Sequence, residues 1–373
     1  VRNATFFGSG KLNEKETESL LKYLENPNSL SSIIFICNEK IDARKKITKI
    51  VKEKYVKLTV LEKQKYIKLI KDKFERELAK RLHLTRVSAP LFVTKESGLQ
   101  DDLNGVERRV GFDILKDGKE LEVVQSLAKW KRFALAKYHI PMHKGIYTDM
   151  TAIRRDDLMD ELHSIYVDQW DWEKVISKED RTISYLKQTV IDIVKAIVAT
   201  SKFVSRKGFK GVKLSDKVHF ITSEELLKMY PDKTPKEREY EIVKKYKTVF
   251  IIEIGGALSD GKPHDLRAPD YDDWTLNGDL IFYHEVLDTP LEVSSMGIRV
   301  DKEKLLEQIK ITKKKERLEY DFHKGIISET LPLSIGGGIG QSRLCELLLG
   351  RAHIGEVQAS YWDEETLKAC KEK

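Results

Sequence analysis

The sequence has few of the features that mark secreted, membrane-spanning or metal-stapled proteins. It contains three cysteines among 373 residues, Cys37, Cys345 and Cys370, and their separations match neither a metal-ligand spacing nor a paired disulfide framework. No apolar run approaches the roughly 20 residues that span a bilayer, and the chain does not open with a secretory signal. We therefore expect reduced thiols, no membrane association and a cytoplasmic location.

Positive charge is also scarce where a nucleic-acid enzyme would need it. The formal net charge is +7, but residues 1–60 hold 12 Lys and Arg against 7 Asp and Glu, a net +5, and the remaining 313 residues carry only +2. Nucleic-acid-binding enzymes usually concentrate cations on the working domain. We expect no nucleic-acid partner.

Residues 1–60 read differently from the rest of the chain. Strand-like runs at Ala4–Phe7, Ile33–Ile36 and Val56–Val60 alternate with helical patterns at Glu16–Leu24 and Arg44–Lys54. This alternation is typical of part of a parallel α/β layer. Sixty residues are too few to close a stable sheet alone, so we predict an N-terminal segment, 1–60, attached to a larger domain, 61–373.

The larger domain begins with a long amphipathic helix and a strand. Apolar residues recur at three- and four-residue spacing between Ile67 and Leu82. Thr85–Val93 then reads as a strand, and Pro90 within it indicates an edge or interface position. A surface helix followed by an ordinary edge strand explains the pattern equally well.

A basic helix start follows the strand Leu121–Gln125. Ser126 is a suitable N-cap, and the first turns carry Lys129, Lys131 and Arg132. A helix N-terminus with three cations is suited to anions. The alternative, a solvated basic face, stays open.

Two polar strands come next. Gly145–Asp157 reads as a strand that enters a charged loop containing Arg154, and His163–Glu173 reads as a second strand. The two-residue period of a strand places Gln169 and Asp171 on one face, which we expect to line a polar pocket. His163 by itself is more typical of a satisfied core histidine than of a ligand.

Further elements are predicted with less detail. Helices are expected at Arg181–Phe203 and after Thr234, where Thr234, Pro235 and Glu237 fit a capping box. Strands are expected at Val218–Thr222 and Val249–Ile254.

The span from His264 to Arg299 concentrates carboxylates around two strand-like runs, Leu280–Tyr283 and Leu291–Ser294. Carboxylates beside buried strands are costly unless each meets a cation, a metal or a donor. This span is therefore the strongest candidate for a functional site, and a solvated acidic loop is the alternative.

A glycine run, Gly336–Gly340, lies between a predicted strand at Leu331–Ile335 and a helix that carries Arg343 and continues through Leu349. No Lys follows the glycines as a Walker loop requires, and their spacing does not fit the dinucleotide fingerprint. The run leaves a backbone that a flat ligand can approach, with Arg343 available for a base or phosphate. Tight strand–helix packing is the alternative explanation.

Two parts of the sequence each resemble a known protein family. Tyr23–Asn28 and Lys40–Lys46 resemble an internal piece of the delta subunit of a bacterial DNA polymerase III clamp loader, which suggests a fragment fused to an unrelated enzyme. Residues 61–373 resemble the ammonia-dependent asparagine synthetases, the aspartate–ammonia ligases. The motifs that carry this second resemblance are Gln100-Asp101, Ser126–Lys131, Tyr166–Trp172, Arg267–Trp274, Leu276–Asp279, Ser294–Arg299 and Ile335–Arg343.

The second resemblance implies an α+β fold, the class II aminoacyl-tRNA synthetase catalytic core, with an antiparallel sheet flanked by helices and a homodimeric assembly. The helix–strand unit with Pro90 then corresponds to the dimer motif of that class, the Arg154 loop to its second motif and the glycine run to its third. The family commonly has Glu where this chain has Asp157, so a contact at Asp157 is the least secure.

The activity that the resemblance implies is ATP-dependent synthesis of L-asparagine from L-aspartate and ammonia through a β-aspartyl adenylate, with release of AMP and diphosphate and with Mg²⁺ as cofactor. Catalytic roles fall on Asp101, Arg154, Asp272 and Arg343. Aspartate binding falls on Ser126, Lys131, Gln169, Asp171 and Arg299. ATP binding falls on Asp157, His163, Ser294, Ser295, Gly338 and Arg343, and metal binding on Asp279 and Glu292.

Other functions were weighed against the residues. An aspartyl-tRNA synthetase-like enzyme would share the adenylate chemistry with another acceptor, but residues 1–60 do not resemble an anticodon-binding barrel. A glutamine-dependent synthetase needs a catalytic thiol, whereas Cys37 is internal and Cys345 lies in an apolar helix. A clamp-loader component is disfavoured because the N-terminal piece lacks most of such a subunit.

Overall fold

The computed structural model describes residues 14–25, 58–101, 103, 107–209 and 211–372. The chain divides into two compact units, Val1–Lys65 and Tyr66–Lys373. Within the first unit, helix α1 (Glu14–Glu25) contains the helix predicted at Glu16–Leu24.

The other elements predicted for residues 1–60 lie outside the described residues, apart from the end of the last strand. That strand was predicted to run through Val60, but Val60 is the first residue of helix α2.

The described part of the chain contains both helices and strands. After α1, the helices are α2 (Val60–Leu82), α3 (Ala128–Lys137), α4 (Ile183–Arg206), α5 (Ser223–Met229), α6 (Pro235–Tyr246), α7 (Lys302–Thr312), α8 (Asp321–Ile327), α9 (Gln341–Leu349) and α10 (Glu364–Glu372). The strands are β1 (Leu84–Arg86), β2 (Phe92–Thr94), β3 (Gly111–Asp113), β4 (Glu120–Val123), β5 (Gly145–Ile153), β6 (Tyr166–Val175), β7 (His219–Thr222), β8 (Thr248–Ile252), β9 (Asp272–His284), β10 (Thr289–Arg299) and β11 (Ser334–Gly340). Short 3₁₀-helices lie at Lys95–Ser97, Lys315–Glu319 and Ile354–Glu356.

A large sheet organises the second unit. Its eight strands have the order β1-β5-β6-β11-β10-β9-β8-β7. Pairing is antiparallel from β5 through β8, and the outer pairs β1–β5 and β7–β8 are parallel. The predicted α+β class, an antiparallel sheet flanked by helices, is therefore confirmed, with one parallel pair added at each edge.

The two faces of this sheet differ in character. On β6, Trp170 and Trp172 point to one face and are fully buried in the main apolar core. Helices α2 and α4 contribute to the same core through residues such as Phe74 and Ile193. Because strand side chains alternate, the intervening β6 residues Gln169, Asp171 and Glu173 project to the opposite face. The apolar face builds the core, and the polar face is left for a site.

The capping box is confirmed in α6. Thr234 Oγ1 accepts from the backbone of Glu237, the Glu237 carboxylate accepts from the backbone of Thr234, and Pro235 occupies the first turn. Local chemistry alone fixes this helix start.

Three local predictions were wrong. Thr85–Val93 is not one strand, because β1 and β2 belong to different sheets, although each is an edge strand as Pro90 suggested. Helix α3 begins at Ala128 with Leu127 at the N-cap, and the Ser126 hydroxyl instead accepts a 3.2 Å bond from the Ala128 N–H. The strand predicted at Leu331–Ile335 does not end before the glycine run: strand β11 is Ser334–Gly340 and includes all of these glycines but none of the residues before Ser334.

Candidate active site

A cavity of about 610 Å³ opens over the polar face of the large sheet. Its walls come from β6, β10, β11, α9, the loop after β5 and the segment before β9. Of the residues singled out from the sequence, the cavity is lined by Asp101, Ser126, Lys131, Arg154, Asp157, His163, Gln169, Asp171, Asp272, Glu292, Ser294, Ser295, Arg299, Gly338 and Arg343. Asp279 is the exception among them; it lies behind the lining residue Arg267, with which it forms an ion pair.

The glycines of β11 make room for the polar side chains of β6. Gly338 pairs with Asp171 in the strand register, and a Cβ at Gly338 would lie 2.3 Å from Gln169 Oε1 and 2.9 Å from Asp171 Oδ1. The prediction that Gln169 and Asp171 share one face is confirmed. Gly336 and Gly338 are thus required by neighbouring polar side chains, whereas a Cβ at Gly337 would meet Met296 and the Ser295 carbonyl.

The basic start of α3 is not a solvated face. Lys129 pairs with the buried Asp270 at 2.9 Å, and Lys131 Nζ donates to Asp171 Oδ1 at 2.9 Å and to the Gly337 carbonyl at 3.0 Å. Arg132 donates to two backbone carbonyls, and all three cations are buried. Of the three, Lys131 reaches the cavity.

Arg299 lies between two carboxylates at the cavity floor. Its Nε and Nη2 donate to Glu173 in a bidentate arrangement, with Nη2 2.8 Å from Oε2, and its Nη1 donates to Asp272. Asp272 is the register partner of Arg299 across β9 and β10, which explains why the two side chains meet. The arginine is 2% exposed.

The two carboxylates that hold Arg299 respond differently to burial. Burial raises the pKa of Asp272, and its contact with Arg299 does not fully offset that effect. Burial opposes ionisation of Glu173 as well, but the guanidinium and the Ser334 hydroxyl, 2.8 Å from Oε1, leave the pKa of Glu173 below its ordinary value. Of the two carboxylates, Glu173 is therefore the one that more readily stays ionised.

The predicted metal residues Asp279 and Glu292 lie on one face because of a β-bulge. Glu292 pairs with Ile281 and Ser294 with Leu280, so β10 has one extra residue, Val293, at this point. Without the bulge, alternation along β10 would turn Glu292 away from the face that carries Asp279. The bulge brings the second carboxylate to the polar side.

The donor set at Asp279 fits a cation held jointly with phosphates. Burial and the neighbouring Glu292 raise the pKa of Asp279 to about 6, against the lowering effect of Arg267. Its buried Oδ1 has no hydrogen-bond partner among the described residues. The described residues contain no group of three or more metal-ligating side chains, but Mg²⁺ commonly uses one or two carboxylates and completes its shell with water and phosphate.

Cations and a histidine surround the far end of the cavity. Arg343 Nη1 donates to the Glu292 carbonyl at 3.0 Å, and the buried Nε of Arg154 has no partner among the described residues. His163 is not a core histidine, since its Nδ1 meets Asp160 at 2.8 Å at the cavity wall. Burial raises the pKa of Asp157, although Arg154, His163 and Arg343 all lower it.

Two serines of β10 add polar atoms next to this region. The Ser294 hydroxyl is buried without a described partner, and Ser295 is the register partner of Asp279 across β10 and β9. Both line the cavity.

Asp101 is held at the other rim by backbone contacts. Gln100 Oε1 accepts from the N–H groups of Asp101 and Gln125, and Asp101 Oδ1 accepts from the Leu103 N–H at 2.9 Å. Asp101 Oδ2 is buried and has no partner among the described residues. One carboxylate oxygen thus stays available to a ligand.

The sequence left two important residues without a role. Glu173 continues the polar face of Gln169 and Asp171 by one more two-residue step, and that period could have identified it. Arg267 stood within a noted motif, but only the fold shows that it pairs with Asp279. Arg267 lies in the segment before β9 and Asp279 lies in β9 itself, so their contact depends on how that segment folds against the strand.

The described residues also bear on the cysteines and on membranes. Cys345 is buried in α9, where burial raises the pKa of its thiol to about 12, and Cys370 is exposed and free; Cys37 lies outside the described residues. Among the helices that the structure describes, none combines the length and apolar composition of a bilayer crossing.

Comparisons with known proteins find a matching family for each part of the chain. Residues 61–373 match the family model described as aspartate-ammonia ligase, and residues 1–62 match the model of the DNA polymerase III delta subunit. The chain is 56% identical over 305 residues to proteins named aspartate–ammonia ligase from Bacillus cereus and Bacillus anthracis, covering 82% of this chain and 93% of each relative.

Solved structures show the same fold at low identity. An asparaginyl-tRNA synthetase of Entamoeba histolytica in complex with asparaginyl-adenylate superposes with a TM-score of 0.57 at 14% identity, covering 83% of this chain and 67% of that one. A Pyrococcus horikoshii asparaginyl-tRNA synthetase gives a TM-score of 0.56, also at 14% identity, covering 79% of this chain and 68% of that one.

Proposed function

The chain belongs to the aspartate–ammonia ligase family, and from this premise we propose that it makes L-asparagine from L-aspartate, ammonia and ATP through a β-aspartyl adenylate. The observation that carries the proposal is the spacing of two arginines along β11. Arg299 meets Glu173 opposite Gly336, and Arg343 lies beside Gly340. Four strand residues separate these points by about 13 Å, which leaves room for an amino acid and a phosphate group between the arginines.

In the first step, the side-chain carboxylate of aspartate attacks the α-phosphorus of ATP, a P–O bond forms, and diphosphate leaves. Arg299 and Lys131, with Ser126, receive the α-carboxylate of aspartate. Asp171, Asp272 and Gln169 hold its amino group and orient the reacting side chain.

Arg154 and Arg343 neutralise the charge that spreads over the phosphate oxygens during this in-line attack. His163, Asp157, Ser294, Ser295 and the open backbone at Gly338 provide the remaining polar surface for the nucleotide. The lining of the cavity by all of these residues supports the assignment.

Asp279 and Glu292 would hold Mg²⁺, and the bound ion would supply further neutralisation of the phosphate charge. The unpartnered Oδ1 of Asp279 and the mutual repulsion of the two carboxylates support this assignment. Arg267 keeps one oxygen of Asp279 occupied.

In the second step, ammonia attacks the activated carbonyl carbon, the C–O bond to phosphate breaks, and AMP leaves. Only neutral ammonia is nucleophilic, so a bound ammonium ion must lose a proton. The unpartnered oxygen of Asp101 is suited to hold the ammonium ion and accept that proton.

We also propose a homodimer in the cytoplasm. The small sheet β2-β4-β3 leaves an apolar patch exposed, including Leu91, Leu115 and the edge-to-face pair Phe92–Phe112. Such a patch is typical of a protein interface. Sedimentation of the full chain and of a Phe112→Glu variant would test it, with the loss of a dimer expected only in the variant.

The N-terminal segment is proposed to be a separate domain that takes no part in the reaction. Limited proteolysis of the full chain should cut near residues 58–65 and leave the asparagine-forming activity in the larger product. Protection of this junction equal to that of the remainder would contradict a separate segment.

The test of the proposed function follows oxygen from aspartate. The full chain is incubated with ATP, Mg²⁺, ammonium and L-aspartate labelled with ¹⁸O in its side-chain carboxylate, and AMP and asparagine are resolved. The adenylate route requires one ¹⁸O atom to leave in the AMP phosphate. Release of ADP would overturn the adenylate, and AMP formation that is indifferent to ammonium, with no asparagine, would point to another acceptor.

A further inference from the structure

Glu173 lies beneath the cavity and does not line it. The residue is fully buried near the C-terminal end of β6, and the residues that touch the cavity include Gln169 and Asp171 but not Glu173 itself. A buried carboxylate is costly unless it is paired and fully hydrogen-bonded. Its position therefore needs an explanation other than direct substrate contact.

The carboxylate of Glu173 accepts hydrogen bonds from the side chains of Arg299 and Ser334. Oε1 accepts from Arg299 Nε at 2.9 Å and from Ser334 Oγ at 2.8 Å, and Oε2 accepts from Arg299 Nη2 at 2.8 Å. Both carboxylate oxygens are thus used. The bidentate pairing fixes the plane of the guanidinium as well as its place.

This pairing leaves a defined part of Arg299 unused. A guanidinium has five N–H donors, of which two contact Glu173 and one contacts Asp272. One N–H therefore remains on each of Nη1 and Nη2. Two N–H groups on adjacent nitrogens are what a ligand carboxylate requires for two-point binding.

Gly336 is the residue that permits this arrangement. It is the register partner of Glu173, and a Cβ at this position would lie 1.9 Å from Glu173 Oε2 and 2.7 Å from Arg299 Nη2. Any side chain here would push the carboxylate off the guanidinium. A substitution at Gly336 therefore tests the pairing of Glu173 with Arg299 without changing Glu173 itself.

We propose that Glu173 is a positioning residue, which orients Arg299 so that its two remaining N–H groups meet the α-carboxylate of aspartate. The proposal rests on the proposed function, because it takes aspartate as the substrate. The proposal also assigns a role to Gly336, whose lack of a side chain leaves space for the pairing of Glu173 with Arg299.

The first test is Glu173→Gln, which keeps the shape but removes the charge and one acceptor. We expect the KM for L-aspartate to rise about 30-fold, as expected for the loss of a charge-assisted hydrogen bond. The KM for ATP should change less than about threefold, because Arg154 and Arg343 do not contact Glu173. A KM does not depend on the fraction of folded enzyme, so partial misfolding cannot imitate this result.

Gly336→Ala is the second test and should raise the KM for L-aspartate in the same selective way. Its matched control is Gly256→Ala, where a Cβ would meet nothing within 4 Å. Asp270→Asn is the control for breaking a buried carboxylate–arginine pair in general, since Asp270 pairs with Arg317 at 2.8 Å and neither residue lines the cavity. Both controls should leave the KM for L-aspartate within about threefold of the unmodified chain.

Two results would overturn the proposal. One is a fall in kcat without a selective change in the KM for L-aspartate in both Glu173→Gln and Gly336→Ala. The other is an equal rise of that KM in Asp270→Asn. Failure of the proposed function looks different, because the unmodified chain would then form no AMP or asparagine from L-aspartate.

Discussion

The two ends of the active-site cavity hold their arginines in opposite ways. Arg299 is 2% exposed and donates to two carboxylates through all three of its guanidinium nitrogens. Arg343 gives one hydrogen bond to a backbone carbonyl, at 3.0 Å, and no described carboxylate lies within ion-pair distance of it. One arginine is fixed by the fold, and the other is left with most of its donors available.

The difference indicates how each end meets its ligand. A guanidinium that is already oriented loses little freedom when a carboxylate binds, so the amino-acid end is preorganised for shape and orientation. The nucleotide end instead has unmatched charge and unpartnered atoms, including those of Arg154 and Asp279. It becomes electrostatically complete when phosphates and a cation arrive.

Replacing Arg299 should break the preorganised end most severely. Arg299→Lys keeps the charge but cannot reproduce the fork geometry, and it leaves Glu173 without its bidentate partner. We expect kcat/KM for L-aspartate to fall about 1,000-fold and the free energy of unfolding to fall by about 3 kcal/mol. Steady-state kinetics and urea unfolding measure the two effects, and an unchanged stability would contradict a built-in network.

Replacing Arg343 should affect chemistry without affecting stability. Arg343→Gln removes a donor that stabilises charge on the phosphate, so kcat should fall about 100-fold. The free energy of unfolding should change by no more than about 1 kcal/mol, because a single hydrogen bond to a carbonyl is lost. If Arg343→Gln destabilised the chain as much as Arg299→Lys, the contrast between the two ends would fail.

Asp101 belongs with the incompletely partnered groups, and its replacement should act on ammonium alone. Asp101→Asn removes the charge that attracts the cation and the base that deprotonates it, and the KM for ammonium should rise about tenfold. The KM for L-aspartate should stay within about twofold. Unchanged ammonium kinetics would rule out the role assigned to Asp101.

Glu346 should affect stability rather than activity. It is fully buried in α9, and neither of its carboxylate oxygens has a partner among the described residues. Burial raises the pKa of Glu346 from 4.5 to about 8, and the nearby Arg343 only partly opposes this. The folded chain therefore keeps a proton that the unfolded chain releases above pH 4.5.

The sign of the effect follows from that proton. Between pH 4.5 and about 8 the folded state binds more protons than the unfolded state, so this residue costs stability as the pH rises, by at most about 1.4 kcal/mol per unit. Glu346→Gln should melt at a higher temperature than the unmodified chain, by a margin that grows from pH 5 to pH 8. A margin independent of pH would exclude a protonated Glu346.

Sequence patterns predicted this molecule best where neighbouring residues decide the structure. The capping box at Thr234 and the shared face of Gln169 and Asp171 depend on spacings of three and two residues, and both are confirmed. The glycine strand was missed because glycine has little strand propensity. Its ladder comes from β6 and β10 on either side, which are far away in sequence.

The charged residues show the same limit. The cations at the start of α3 gave no sign of whether they were solvated, because the partners of Lys129 and Lys131 are Asp270 and Asp171. Such pairings depend on segments that only the tertiary fold brings together. The candidate site could be gathered from its motifs, but the partner of each charge could not.

The extra residue at Val293 has a consequence for how this site can change. A substitution alters one side chain, whereas a regular pairing that kept Val293 and placed it opposite Ile281 would reverse which side of the sheet Thr289–Glu292 present. Glu292 would then leave Asp279 and face the apolar core, and the residues now packed there would turn outward. The pair of carboxylates is therefore a property of strand register as much as of composition, whereas deletion of Val293 itself would remove the bulge and leave Glu292 opposite Ile281.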